Sequence, residues 1–165
     1  MAKRRVQAQS TGSRLLHSAF LVLAFLLLAR GDLFFEGLSA RLWQQSDAAG
    51  VAGLALAAAG AGFAIWARFY LGGNWSAAVT IKRDHTLIRT GPYAVVRHPI
   101  YAGFELGILG SAIALGEVRG FVAAVAALVG MVLKSRMEEE FMTKQFGAGY
   151  LQYKREVKAL IPFVW

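Results

Sequence analysis

Four apolar stretches, separated by charged segments, constrain this chain more than any other feature. They run at about 15–29, 48–71, 100–115 and 118–133, with Leu33, Phe34 and Phe35 available to extend the first. The second, rich in Ala and Gly, reaches the roughly 20 residues that a bilayer-spanning helix requires. The others are shorter and need flanking residues. Of the 165 residues 56% are hydrophobic and 17% charged, against about 25% charged in an average soluble domain. An ordinary soluble protein and a disordered chain are therefore both poor fits. The expectation is an all-α, polytopic membrane helical bundle of about four transmembrane helices, in one domain spanning 1–165. The chain has no cysteine, which excludes disulfides, zinc-thiolate sites, iron–sulfur clusters and thiol nucleophiles. No metal is expected.

The formal net charge of +8 would suggest nucleic acid in a soluble chain, but its distribution points to a membrane. Fifteen Lys and Arg residues precede the first stretch, lie between the end of the second (from Arg68) and the third, or follow the fourth; three lie in the other two connections. By the positive-inside rule, both termini and the central connection are predicted to be cytoplasmic, including a basic N-terminal segment 1–14. The basic charge then requires no nucleic-acid partner. Lys3, Arg4 and Arg5 before the first stretch imitate a signal peptide, yet Arg30 and Asp32 stand where a cleavage site wants small residues, so the segment reads as a retained helix.

Only Gly116–Gly120 separates the third and fourth stretches, which predicts a tight helical hairpin. Small residues run along it: Gly103, Gly107, Gly110 and Ser111 on one arm, Ala123, Ala124, Ala127 and Gly130 on the other. They are expected to face one another, because small residues let membrane helices approach closely. Gly53, Gly60 and Gly62 of the second stretch are expected to pack in the same way.

Two regions on the predicted cytoplasmic side are richer in polar chemistry than linkers require, Arg68–Tyr101 and Arg136–Trp165. In the first, Pro99 suits the first turn of a helix, which places Arg97 and His98 just before the third span and Tyr101 on its opening turns. Free N–H groups at such a terminus favour an anion. An anion or cofactor site is one reading; lipid headgroup contacts by Arg97 and His98, with Tyr101 in an aromatic belt, is the other. In the second region Glu138, Glu139 and Glu140 follow the fourth stretch. If the helix continues, Arg136 lies three residues before Glu139, a spacing that allows an intrahelical ion pair.

Taken together, these segments resemble the isoprenylcysteine carboxyl methyltransferase family and its phospholipid methyltransferase relatives. The resemblance rests on Gly91-Pro92-Tyr93, on Arg97-His98-Pro99-Ile100-Tyr101-Ala102-Gly103, on Glu138-Glu139, and on Phe146-Gly147 with Tyr150 and Tyr153, then Pro162. Leu71-Gly72-Gly73-Asn74-Trp75 and His85-Thr86-Leu87-Ile88 add to it, so that about 68–163 is covered. It implies a catalytic core over 68–165, with a cytoplasmic helical tail, that uses S-adenosylmethionine. Carried over by position, the cofactor pocket would use His85, Thr86, Leu87, Ile88, Tyr93, Arg97, His98, Pro99, Ile100 and Tyr101. Glu139 would close it, and then Glu138. Arg136 matches an arginine near the methyl acceptor, with Arg68 and Asn74 as further candidates on that side. A lipophilic acceptor would enter from the bilayer, most simply a prenylcysteine-type carboxylate; a phospholipid amine or a small thiol are the alternatives. The membrane would be the inner membrane of a bacterium or the endoplasmic reticulum of a eukaryote.

Glu105 departs from the family pattern, which has an apolar residue there. An acid within a span is a functional candidate by default: it could hold an amine or water near the site, or lie at headgroup depth. A carboxylate acceptor is already ionised at neutral pH, so Glu105→Gln should be mild for it, whereas an amine acceptor needs a base and the same change should be severe. A sterol-reductase-like enzyme using a nicotinamide cofactor and a non-catalytic membrane scaffold are the competing readings.

Overall fold

The computed structural model describes residues 11–30, 34, 36–72 and 86–162. Asn74 and His85 lie outside the described residues, as do Lys3, Arg4, Arg5, Leu33 and Phe35. The elements are α1 (Thr11–Ala29), a 3₁₀ turn (Glu36–Ser39), α2 (Asp47–Leu71), α3 (Pro92–Val95), α4 (Pro99–Leu115), α5 (Val118–Phe146) and α6 (Ala148–Glu156). The expected all-α architecture is what forms. Helices α2 and α5 are long and apolar enough to cross a membrane, while Arg14–Ala29 of α1 and the whole of α4 are apolar but shorter. Large apolar side chains such as Val51, Leu54, Ile65, Phe69, Phe25 and Val125 stand exposed on the outside, as a lipid-facing surface requires.

Helix limits follow local chemistry. Ser46 caps α2 by accepting from the Ala49 amide at 3.2 Å, and Asp47 adds a negative charge in the first turn, which the helix dipole favours. Pro92 and Pro99 open α3 and α4. Gly116, at φ 66°, ends α4 in the left-handed region. Helix α5 runs well past residue 133, because good helix formers continue without Gly or Pro until Gly147. The acidic run is therefore carried on a rigid extension of the fourth span.

The long helices pack in the order α2–α4–α5–α1, as a row. Helices α1 and α2, neighbours in sequence, share no packed seam. The closest seam is α2 against α4, which run antiparallel. Gly53, Ala57, Gly60, Ala64 and Ala67 repeat at a spacing of four and three, the period that keeps one face toward a partner. A Cβ on Gly60 would lie 2.5 Å from the Gly103 carbonyl oxygen, and one on Gly110 would lie 2.5 Å from the Gly53 carbonyl oxygen. This corrects the expected pairing within the hairpin: Gly103 and Gly110 face α2 rather than α5. Gly130 meets Phe20 and the His17 carbonyl of α1, and Gly62 meets nothing within 4 Å. Between α4 and α5 the close approach is at Gly120, whose Cβ would lie 2.7 Å from the Ala112 Cα. Four apolar helices thus make two antiparallel pairs, joined through the α4–α5 turn. Ala24 and Leu27 of α1 and Ala123, Ala126, Ala127 and Met131 of α5 form the buried core of the second pair.

The end of the row opposite the acidic run is closed by the α1–α2 connection. The Leu42 amide donates to the Gly116 carbonyl at 2.8 Å and the Val118 amide to Ala40 at 3.1 Å. Arg119 donates to the carbonyls of Leu27 and Leu28 at 3.3 and 3.1 Å, covering free acceptors at the end of α1.

Gly103→Val should cost about 1–3 kcal/mol or more, the usual range for overpacking, because its branches would meet α2 backbone. Gly62→Val, on the same row but facing outward, should change little. Thermal unfolding of both variants in mild detergent checks this; equal loss in the two would mean that the α2–α4 seam is not the close one.

Candidate active site

The segment entering α4 is shaped before any catalytic group is placed. Gly91 has φ 60°, and a Cβ there would lie 2.6 Å from the Tyr70 ring. The Tyr70 hydroxyl donates to Thr90 Oγ1 at 2.8 Å. The Pro92–Val95 turn follows, then Val96, extended and fully buried. From there the backbone runs beside the residues after α6: the Arg97 amide donates to the Lys158 carbonyl at 2.8 Å and the His98 amide to Ala159 at 3.0 Å. The Tyr153 hydroxyl donates to the Tyr93 carbonyl. These bonds fix the tail against the start of α4.

At that junction six side chains converge. Arg97 holds Glu139 through Nε at 2.8 Å and Nη2 at 2.6 Å, and its Nη1 donates to the carbonyls of Val157 and Lys154. Lys154 Nζ lies 2.7 Å from the other Glu139 oxygen. His98 bridges the two acids, with Nε2 3.2 Å from Glu139 and Nδ1 3.5 Å from Glu138. The Tyr101 hydroxyl donates to Glu138 at 2.6 Å, and its ring stacks on His98 at 5.6 Å with 6° between planes. Lys134 Nζ lies 5.3 Å from the centre of the Tyr101 ring. His98 leaves the amides of α4 uncapped by its side chain, since its ring is taken by the acids.

The electrostatics follow. Burial disfavours the His98 cation, but the two adjoining carboxylates outweigh it and raise the pKa above the ordinary 6.5. Burial likewise opposes ionisation of Glu139, yet His98, Lys154 and Arg97 bring it down to about 2. Glu138 is lowered too, with His98 and Tyr101 overcoming burial. Burial, reinforced by Glu138 and opposed by Arg68, pushes the Tyr93 phenol up to about 12. The junction therefore pairs two carboxylates that favour the ionised form with an imidazole that favours its cation, and Tyr93 beside them favours the neutral phenol.

This geometry bears on the two readings of Arg97-His98. Both side chains keep only 9% of their surface and spend their polar groups on protein partners. Two carboxylates of the protein itself, Glu138 and Glu139, stand beside the residues that open α4. The Arg136–Glu139 pair that spacing allows is not made, because Glu139 turns to Arg97, His98 and Lys154; Arg136 is exposed, as is Glu140. The two acids also differ: Glu139 is ringed by three cations with 10% of its side chain exposed, whereas Glu138 keeps 25%. Pro99 and Tyr93 are buried, and Leu87, Ile88 and Ile100 half-buried beside them in sequence, with Thr86 exposed. The long Tyr93 hydroxyl contact, 3.5 Å to the Ala67 carbonyl, ties this segment to α2. Arg68, on the last turn of α2, acts on Tyr93 through its charge. Glu105 lies one helical turn beyond Tyr101 and has a buried carboxyl oxygen with no hydrogen-bond partner among the described residues.

Sequence reasoning missed Lys154, and missed that Arg97 grips the backbone of the tail. Nothing at the level of spacing marks Lys154, because its partner is contributed by another helix. The Arg89–Glu156 ion pair, which ties the segment before Gly91 to the end of α6, is hidden for the same reason.

Comparison with known proteins places these residues in a wider set. The family model described as phospholipid methyltransferase matches residues 48–149. The protein-S-isoprenylcysteine O-methyltransferase of Schizosaccharomyces pombe is 37% identical over 101 residues, which is 56% of this chain and 41% of that protein. The enzyme of the same name from Saccharomyces cerevisiae is 33% identical over 96 residues, 56% of this chain and 40% of that one. The chain thus spans about two fifths of the length of these relatives. Among solved structures, a eukaryotic intramembrane Ras methyltransferase, isoprenylcysteine carboxyl methyltransferase, superposes with a TM-score of 0.62 at 23% identity, covering 96% of this chain and 55% of that one.

The ion cluster should make stability depend on pH from both sides. Glu139 is depressed, so its contribution is complete above its ordinary 4.5 and is lost as pH falls toward 2. His98 is raised, so its contribution is complete below 6.5 and is lost as pH rises through its higher folded value. The melting temperature should therefore peak between about pH 4.5 and 6.5. His98→Gln should remove the alkaline decline; a decline of unchanged slope in that variant would assign it to another group.

Proposed function

The chain belongs to the phospholipid methyltransferase family, and from that premise we propose that it is an integral membrane methyltransferase. It moves a methyl group from S-adenosylmethionine to a lipophilic acceptor, of the prenylcysteine-carboxylate type. The observation that carries this reading is the partly open Glu138 carboxylate at the polar end of an apolar helical row. The named relatives act, by their names, on S-isoprenylcysteine, which supports the acceptor class. The positive-inside rule supports a cytoplasmic position for this polar end and for both termini.

The residues suit the cofactor. One Glu138 oxygen accepts from Tyr101, the other lies only within 3.5 Å of His98, and the side chain keeps a quarter of its surface. It has capacity for a further donor, such as an ammonium or a ribose hydroxyl. Glu139 has none to spare. The geometry thus favours Glu138 as the ligand contact and Glu139 as the group that positions it, the reverse of the order suggested by sequence. Arg97 is likewise a positioning residue, fixing the tail.

S-adenosylmethionine, when bound, supplies an electrophilic methyl group on a sulfonium centre. The chain supplies the rest. Glu138 binds the donor and offsets its positive charge. His98 and Tyr101 keep Glu138 ionised and aimed. Tyr93, held neutral, presents a phenol that donates rather than repels. The apolar helices exclude water, which would otherwise screen these charges. A carboxylate acceptor needs no base; it needs alignment, for which Arg68, close to Tyr93, is well placed and Arg136 is the second candidate. A nicotinamide dinucleotide would bring a pyrophosphate toward two carboxylates, which argues against the reductase reading.

Thermal stabilisation in detergent tests the cofactor, since a ligand bound only by the folded state raises apparent stability. S-adenosylhomocysteine should stabilise the protein and NADPH should not. Glu138→Gln should weaken that effect about 10- to 100-fold in affinity, the range for one hydrogen bond to a charged group. Labelled S-adenosylmethionine should methylate N-acetyl-S-farnesylcysteine. Stabilisation by NADPH in place of the adenosyl compound would overturn the proposal.

A further inference from the structure

Glu105 is unused by the cluster described above, and its setting is specific. Tyr101, Glu105, Ile108 and Ala112 are spaced four, three and four along α4, so they share one face. Tyr101 and Ile108 pack against the core formed by α1 and α5, and Ala112 meets Gly120 of α5. The opposite face, with Gly103 and Gly110, is sealed against α2. Glu105 therefore lies on the α5 side of α4, about 6 Å deeper into the apolar row than Tyr101 at 1.5 Å per residue. One of its oxygens is buried without a partner among the described residues, which is costly anywhere and more so in a bilayer. Lys134 of α5 lies over the Tyr101 ring.

We propose that Glu105 reads the methyl acceptor: its buried oxygen takes a hydrogen bond from the N–H that a prenylcysteine-type acceptor carries between its carboxylate and its prenyl chain. The inference rests on the reading above for the class of acceptor. An acceptor reaching the polar end from the bilayer has its reactive group near Tyr101 and Glu138 and its chain deeper. The group between them meets Glu105. In a prenylcysteine that group bears an α-nitrogen with a hydrogen to donate. In a phospholipid amine, the only N–H groups are on the reacting nitrogen, and the phosphate and ester oxygens below it are acceptors, which a carboxyl oxygen would repel or leave unpaired. Glu105 therefore selects the first class and rejects the second.

The test compares two acceptors that differ in this one group, N-acetyl-S-farnesylcysteine and S-farnesyl-3-mercaptopropionic acid, which lacks the nitrogen. Binding is read by thermal stabilisation and transfer by labelled S-adenosylmethionine, for wild type, Glu105→Gln and Glu105→Leu. Wild type should prefer the nitrogen-bearing acceptor about tenfold or more in KM, as expected when a buried acceptor is otherwise left unpaired. Glu105→Gln, which keeps a carbonyl oxygen, should retain the preference. Glu105→Leu should bring the ratio to about one. S-adenosylhomocysteine stabilisation of each variant reports that it is folded. A preference that survives in Glu105→Leu, or none in wild type, overturns the proposal. A collapse of kcat on an amine lipid in both variants would overturn it in favour of a general base. If the binding preference is present but no methyl is transferred, Glu105 stands as an acceptor-reading residue and the methyltransferase reading falls.

Discussion

The Glu139 carboxylate is the interaction on which the rest depends. It lies on α5, and it is held by Arg97 and His98 from the entrance of α4 and by Lys154 from α6. Three successive elements are thereby fixed at one point. A buried ion pair gains little net stability over well-packed apolar groups, but removing one partner is strongly destabilising because the other charge is left alone. Its use here is geometric. With Glu139 fixed, His98 is fixed; with His98 fixed, Tyr101 stacks on it and Glu138 is aimed. The partly open carboxylate is thus the last member of a chain of contacts whose first members are fully engaged.

The same logic explains the division of labour along the molecule. Helix contacts in an apolar surrounding gain nothing from the hydrophobic effect, so they rest on close approach and van der Waals packing. That is why the α2–α4 seam is made of Gly and Ala with backbone atoms almost touching. Such a seam is rigid, and it sets the orientation of α4 at its polar end. The ion cluster needs that rigidity, since bonds of 2.6–3.2 Å tolerate little drift.

Much of this was legible in the sequence, for physical reasons. Hydropathy found all four long helices, because a lipid-facing helix must be apolar over its length. Pro99 placed the start of α4, and the motif around His98 and Glu138 located the junction. Partners across elements were not legible. Small residues at Gly103 and Gly110 announced a close seam but not which helix would fill it, and the hairpin was the wrong choice. The Arg136–Glu139 spacing permitted a local pair that a better, non-local one displaced. Lys154 and the tail carbonyls bonded by Arg97 left no periodic mark. Glu105 was visible as an anomaly within an apolar run, but only its place on the α5-facing side gives it a direction.

The order α2–α4–α5–α1 has a consequence for how the molecule is built. Helices α1 and α2 precede the α4–α5 hairpin in the chain, yet each has its partner in it. Both must wait in the bilayer unpaired, and the α4–α5 hairpin must insert between them. The strand of chain from Arg41 to Trp43, which touches Gly116 and Glu117 at the hairpin turn, crosses beneath that insertion. It can find its place only once that turn has formed. The polar junction is assembled later than the apolar row: the clasp on Glu139 closes only when α6 is released, so a product cut before α6 would hold its apolar helices without Lys154 on the junction.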